Sequence, residues 1–207
     1  MQYCLGIKLK IRTDDVIVIC GKRRSGKTYF LRHFLLPKLP RAIIWDYNYE
    51  YENLKNSVVV HNASQILQLV QKYRFIIFRP ILKTEDVFLQ FCDACYKTVN
   101  NTVIIEEVER YATSWNIPLS LKMIVDTGRH RGLGLICTMR RTMRTHPDII
   151  FNADLIFAFH QHRPQDLDYL AQVMNPEVVY KLPKLPLYFF VVYDDRSGQS
   201  FICRKIK

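Results

Sequence analysis

The sequence has no apolar run close to the roughly 20 residues that a membrane span needs. Its longest run, residues 187–193, has the length of a strand. No signal-peptide core opens the chain, because Ile7-Lys8-Leu9-Lys10-Ile11-Arg12 alternates apolar and basic residues as a half-buried strand does. The expected location is therefore the cytosolic compartment. Glycine is scarce, at seven of 207 residues, and with nine prolines the chain has no long flexible linker, internal repeat or low-complexity tract. A single domain over residues 1–207 follows. The six cysteines are scattered, and only Cys92 and Cys95 lie close together. A zinc site would need a second ligand pair that the sequence does not offer. The two cysteines instead continue a helical stripe of Val87, Phe88 and Phe91, which predicts core packing. Acidic residues are short as well: 19 against 30 Lys and Arg, a net charge of +11. A domain this basic points to a polyanionic partner, nucleic acid first, with simple solubility charge as the alternative.

What the chain does have is a complete G-x-x-x-x-G-K-[ST] loop, Gly21-Lys22-Arg23-Arg24-Ser25-Gly26-Lys27-Thr28. A β-branched apolar run, residues 16–20, precedes it and reads as a buried parallel strand. Residues 28–36 follow as a helix closed by Pro37. Strand, loop and helix are the context in which this motif cradles a nucleotide. Backbone N–H groups of residues 21–29, ending at Tyr29, would surround the phosphates. Lys27 would reach the β- and γ-phosphates of ATP, and the Thr28 hydroxyl would sit on Mg2+.

A second stretch, Thr102-Val103-Ile104-Ile105-Glu106-Glu107, is an apolar strand delivering two carboxylates at its end. Nucleotide hydrolysis needs one carboxylate near Mg2+, through water, and one to polarise the attacking water. Glu106 is assigned to the metal side and Glu107 to the water. The competing reading is a strand running into a solvated acidic helix, Glu106-Glu107-Val108-Glu109.

The remaining pattern predicts strands at 3–12 (an edge strand), 41–46, 58–60, 75–80, 133–137 and 155–159, with a closing β-hairpin of 187–193 and 199–204. Helices are predicted over 63–72, capped by Asn62 with Gln65; over 85–99, capped by Thr84; over 119–127, stopped by Gly128; and over 166–174. His160 and His162 have no evident third metal ligand and read as strand-end polar residues.

This order resembles the FtsK/HerA superfamily of RecA-like DNA translocases, most of all the genome-packaging ATPases of tailless icosahedral viruses, including those of archaeal hosts. Four stretches carry the resemblance. They are the phosphate loop; Ile43-Ile44-Trp45-Asp46 with Glu50-Tyr51; Ile104-Ile105-Glu106-Glu107 at the Walker B position; and residues 128–141 followed by 149–157. It implies an α/β, RecA-like (ASCE) P-loop NTPase with a mostly parallel central sheet flanked by helices. It places the strand at 133–138 between the Walker A and Walker B strands. It further implies a ring, commonly a hexamer, in which an arginine of one subunit reaches its neighbour's γ-phosphate; Arg129 holds that position, with Arg131 second. Such a finger is worth roughly 10³ or more in rate. The sequence departs from the family at two points. Glu106-Glu107 stands for Asp-Glu, and Met139 stands at the polar sensor glutamine, leaving that task to Thr138 or to a residue elsewhere.

The function expected is an Mg-dependent ATPase that translocates double-stranded DNA into a viral capsid, with a capsid or portal-vertex component as partner. It would act in the host cytoplasm and transiently at the capsid vertex. Arg140, Arg141 and Arg144 are candidate DNA contacts, with the nucleotide or a subunit interface as their rival roles. Alternatives are a cellular HerA/FtsK-like translocase, a small P-loop nucleotide or nucleoside kinase, and a nucleotide-gated DNA-binding protein without turnover.

Overall fold

The computed structural model describes residues 9–204. One nine-stranded sheet runs through it in the order β3-β4-β2-β5-β6-β1-β7-β8-β9. The strands are β1 (Val16–Cys20), β2 (Ala42–Trp45), β3 (Ser57–Val60), β4 (Phe75–Phe78), β5 (Thr102–Ile105), β6 (Gly134–Met139), β7 (Leu155–Phe159), β8 (Phe190–Asp194) and β9 (Gln199–Cys203). The first seven are parallel to one another, and β8 and β9 close the sheet as an antiparallel hairpin alongside β7. β6 lies between β5 and β1, as expected.

Most central strands are buried on both faces, which is why they read as continuous apolar runs. Side chains nevertheless alternate. Val18, Cys20, Trp45 and Ile105 enter the core on one face, and Ile17, Ile19, Ile44 and Ile104 enter the core on the other. The second face is covered by the helix after the phosphate loop. It begins as α1 (Lys27–Phe30), runs on as a π-helical stretch over Leu31–Leu35 and ends in a 3-10 turn, Leu36–Lys38. Pro37 has no N–H to donate, so the helix tightens and stops there. The first face carries α2 (Ala63–Leu69), α3 (Glu85–Tyr96), α4 (Leu119–Thr127), α5 (Pro147–Phe151), α6 (Pro164–Leu170) and α7 (Pro176–Val179). Here Trp45 stacks on Phe78 at 5.3 Å and meets the edge of Phe88 at 5.0 Å. Such pairs each contribute about 0.5–1.5 kcal/mol beyond their burial. Cys92 and Cys95 are fully buried in this core, as their helical stripe predicts.

The capping box at Asn62 forms as expected: Asn62 Oδ1 accepts the Ser64 N–H at 2.9 Å and Gln65 Oε1 accepts the Asn62 N–H at 3.1 Å. Several boundaries differ from expectation. Residues 9–12 form no strand, and residues 3–8 lie outside the described residues; Leu9 and Ile11 still pack against the core. Helix α4 ends at Thr127 with Gly128 as its C-cap, as expected, but Gly128 does not turn the chain left-handed. It stays right-handed at φ −55°, and a 3-10 turn runs on to Arg131. The left-handed stop is Gly132 at φ 65°, where a Cβ would come within 2.3 Å of Asn100 Oδ1. Helix α6 starts at Pro164, whose fixed φ suits a first helical position. The last hairpin begins only at Phe190, because Tyr188 takes φ 70° and breaks the strand.

Candidate nucleotide site

The phosphate loop hangs on the ends of two strands. Gly21 donates its N–H to Met139 O at 3.2 Å, and Lys22 donates to His160 O at 3.0 Å. Gly21 has φ 148°, and a Cβ there would lie 2.7 Å from Phe159 Cβ and 2.9 Å from Ser25 Oγ, so no larger residue fits. The Lys27 ammonium crosses the loop and donates to Gly21 O at 2.7 Å and Lys22 O at 3.0 Å. Burial pushes this ammonium below its ordinary pKa, and Cys20, Glu109 and Glu107 pull the other way. Ser25 Oγ is buried without a partner among the described residues.

The carboxylates arrive from β5, two strands away. The register sets Ile105 opposite Cys137, which carries the next residues of both chains to the same edge. Glu106 is 2% exposed and accepts from Tyr51 Oη at 2.9 Å. Its carboxyl is pushed up to about 7, first by burial and then by the Glu50 carboxylate; Asp46 and Glu107 add to this and the Tyr51 bond opposes it. Asp46 is tied down by the Glu50 N–H at 2.7 Å and by Arg79 Nε at 3.0 Å. Glu107 sits at φ 52°, a left-handed conformation rare for a non-glycine residue. Its N–H donates to Thr138 Oγ1 at 3.1 Å. Its Oε2 accepts from Arg110 Nε at 2.6 Å, and its Oε1 accepts from Arg140.

The two segments face each other across a cleft of about 480 Å³. Arg23, Arg24, Lys27 and Thr28 line one wall; Glu106, Glu107, Thr138 and Arg140 line the other, with Asn48 and Glu50 at the side. This volume falls within the range of small-molecule sites. Gly21, Lys22, Ser25 and Gly26 complete the loop around the wall, and Tyr29 is more than half exposed just beyond it, tilted against His33 at 4.4 Å.

Most of the other expected site residues lie elsewhere. Arg129 and Arg131 are at the opposite edge of the sheet, where Arg129 pairs with Asp154 at 2.8 Å and Arg131 stacks on Tyr96 at 5.1 Å. Arg140 belongs to the cleft. Arg141 holds the fully buried Asp166 at 2.6 Å, and Arg144 is exposed. The rings of His160 and His162 stand 6.4 Å apart at the end of β7. Sequence reasoning missed Glu109, Arg110 and the grip of Tyr51 on Glu106. Glu109 is half-buried and accepts the Arg140 N–H at 2.8 Å through Oε1.

Fold and site together define a RecA-like P-loop NTPase. Solved structures narrow this. The chain is similar to the genome-packaging NTPase B204 of Sulfolobus turreted icosahedral virus 2 in complex with ATP-gammaS, at 25% identity and TM-score 0.82 over 95% of this chain and 100% of that one. It is similar to B204, the DNA-packaging ATPase of Sulfolobus Turreted Icosahedral Virus, at 26% identity and TM-score 0.79, with the same coverage. The ATPase region of Thermomonospora curvata EccC, at 18% identity and TM-score 0.60 over 97% of this chain and 38% of that one, shares the fold. No protein-family model and no curated protein matches the sequence. These likenesses support a P-loop ATPase of the FtsK/HerA type. Among the described residues no helix is long and apolar enough to cross a membrane.

Proposed function

We propose that this chain is an ATP-hydrolysing motor that moves double-stranded DNA, packaging a viral genome into a capsid. The observation that carries the proposal is the meeting of the phosphate loop and the Glu106-Glu107 pair in one cleft, in a chain alike over 95% of its length to packaging NTPases.

The loop N–H groups would hold the β-phosphate, and Lys27 would exchange its two carbonyl partners for β- and γ-phosphate oxygens. A hard dication suits the far wall. Its metal donors are oxygens only, and burial and the neighbouring Glu50, Asp46 and Glu107 carboxylates push Glu106 up. Thr28, and Glu106 through water, would hold Mg2+, which when bound neutralises phosphate charge. Glu107 would orient the attacking water and accept its proton, with Thr138 fixing the Glu107 backbone. Arg129, or Arg131 second to it, would reach a neighbouring subunit's γ-phosphate in a ring, taken to be a hexamer. Neither belongs to this subunit's own cleft.

DNA would be gripped through its phosphates. Of the three arginines considered for this, Arg144 is the exposed one; Arg140 and Arg141 are engaged by carboxylates. A capsid or portal-vertex component would complete the assembly, in the host cytoplasm and then at the vertex. A cellular HerA/FtsK-like translocase would use the same site. The test is the ATPase rate with and without long duplex DNA across a salt series, on protein of measured oligomeric mass. The expected result is stimulation by DNA of any sequence that fades steeply with salt. Turnover indifferent to DNA, or phosphate transfer to a nucleoside, would overturn the proposal.

A further inference from the structure

Strand β6 alternates at its end. Met139 is buried in the core opposite Cys20, so the flanking Thr138 and Arg140 turn to the other side and line the cleft. Arg140 is held at both ends by carboxylates: Glu109 accepts its backbone N–H at 2.8 Å, and Glu107 accepts from its guanidinium. The second Glu107 oxygen accepts from Arg110 at 2.6 Å. Each oxygen of the carboxylate placed to polarise water thus already carries an arginine. Lys27 lines the same cleft, so a γ-phosphate drawn to it would lie in the space into which Arg140 projects.

We infer that Arg140 is the residue by which the site distinguishes a nucleoside triphosphate from a diphosphate: it pairs with Glu107 until a γ-phosphate takes its guanidinium and leaves Glu107 Oε1 to accept from water. The inference rests on the ATPase reading above. A γ-phosphate carries more charge than one carboxylate and offers three acceptor oxygens, so it outcompetes Glu107 for a fork-shaped donor. A diphosphate offers nothing at that position and leaves the pair intact. Glu109 anchors the Arg140 backbone, so only the side chain needs to move. Arg110 stays on the other oxygen and keeps Glu107 oriented. Arg140 is a positioning residue for Glu107 as well as a phosphate contact.

The experiment is calorimetric titration of the full chain with ATP-gammaS and with ADP, each with Mg2+. It compares the wild type with Arg140→Ala, Arg140→Lys, Glu107→Gln and the Arg140→Ala/Glu107→Gln double variant. Losing a charge-assisted contact is expected to weaken ATP-gammaS binding of Arg140→Ala by ~10-fold or more, with ADP within ~2-fold. Arg140→Lys should recover part of that loss. Glu107→Gln should bind ATP-gammaS several-fold more tightly, because no ion pair has to break, and the gain should vanish in the double variant. A role in folding alone would weaken both nucleotides alike. Equal losses for ATP-gammaS and ADP, or additive effects in the double variant, would overturn the inference while leaving the ATPase reading in place. Wild-type protein that bound neither nucleotide would overturn both.

Discussion

At the edge where the parallel strands begin, polar side chains satisfy one another, Arg131 Nε excepted; at the edge where they end, several do not. Asp154 takes the Val16 N–H at 2.8 Å on one oxygen and Arg129 at 2.8 Å on the other, and Thr102 Oγ1 donates to Thr13 O at 2.9 Å. At the far edge Glu106 holds its proton up to about pH 7, and Ser25 Oγ and Glu109 Oε2 are buried without partners among the described residues. Arg24 and Glu107 sit in left-handed backbone conformations there. A buried polar group left unpaired costs about 1–3 kcal/mol. One edge closes strand ends; the other is short of the charges and acceptors that a bound nucleotide and its cation would bring. The residue types are the same, and the difference between scaffold and site lies in what remains unsatisfied.

The largest break in that contrast is expected at Lys27. Lys27→Ala removes the one ammonium laid across the loop and should abolish nucleotide binding in a titration with ATP-gammaS, with the chain still folded. Undiminished binding would mean that the cleft is not the phosphate site. Glu107→Gln comes next. It should keep ATP bound while single-turnover hydrolysis falls by ~10²-fold or more, since general-base contributions are of that order. A normal rate would pass the role to another carboxylate, Glu109 being the next along the chain.

Both of those residues were legible because each lies in a contiguous motif with a strand before it. The strands were legible too: Val16–Cys20 and Leu155–Phe159 are short β-branched or aromatic runs, and burial on both faces makes such runs unbroken. The rest of the cleft was not. Tyr51 meets Glu106 across 55 residues, and Arg140 meets Glu107 across 33. Such pairs are set by strand register, which spacing along the chain does not reveal. One signal was available: three carboxylates within Glu106–Glu109 need cations, and Arg140 follows the strand expected beside them. The alternation in residues 7–12 correctly marks Leu9 and Ile11 as packed, but alternation reports which side chains are buried, not whether the backbone pairs.

Stability against pH sharpens the comparison further. Unfolded Glu106 would lose its proton near its ordinary value of 4.5, but in the folded chain it does so at about 7. Between those values the folded state binds more protons than the unfolded one, so this group lowers stability as pH rises through the window and levels off above it. Glu106→Gln should flatten that decline in the denaturation midpoint of ligand-free protein. Parallel curves for variant and wild type would show that the burial of Glu106 carries no such cost.

The smallest effects on an isolated chain are expected at the satisfied edge, and they decide whether it is only scaffold. Asp154→Ala leaves the Val16 N–H without its acceptor and should cost about 1–3 kcal/mol in denaturant unfolding without changing nucleotide affinity. Arg129→Ala should cost less than about 1 kcal/mol, because the guanidinium is 63% exposed and solvent screens its pair with Asp154. An arginine that contributes so little to its own subunit, yet projects from the sheet edge remote from its own cleft, is free to act on a neighbour's. Mixing Arg129→Ala subunits with wild type separates the two roles. A finger acting in trans in a ring whose sites fire in turn makes the loss of turnover steeper than the fraction of variant, since each altered subunit silences the site next to it and one silent site stalls the rest. A loss merely proportional to that fraction would return Arg129 to its pair with Asp154 and pass the test to Arg131.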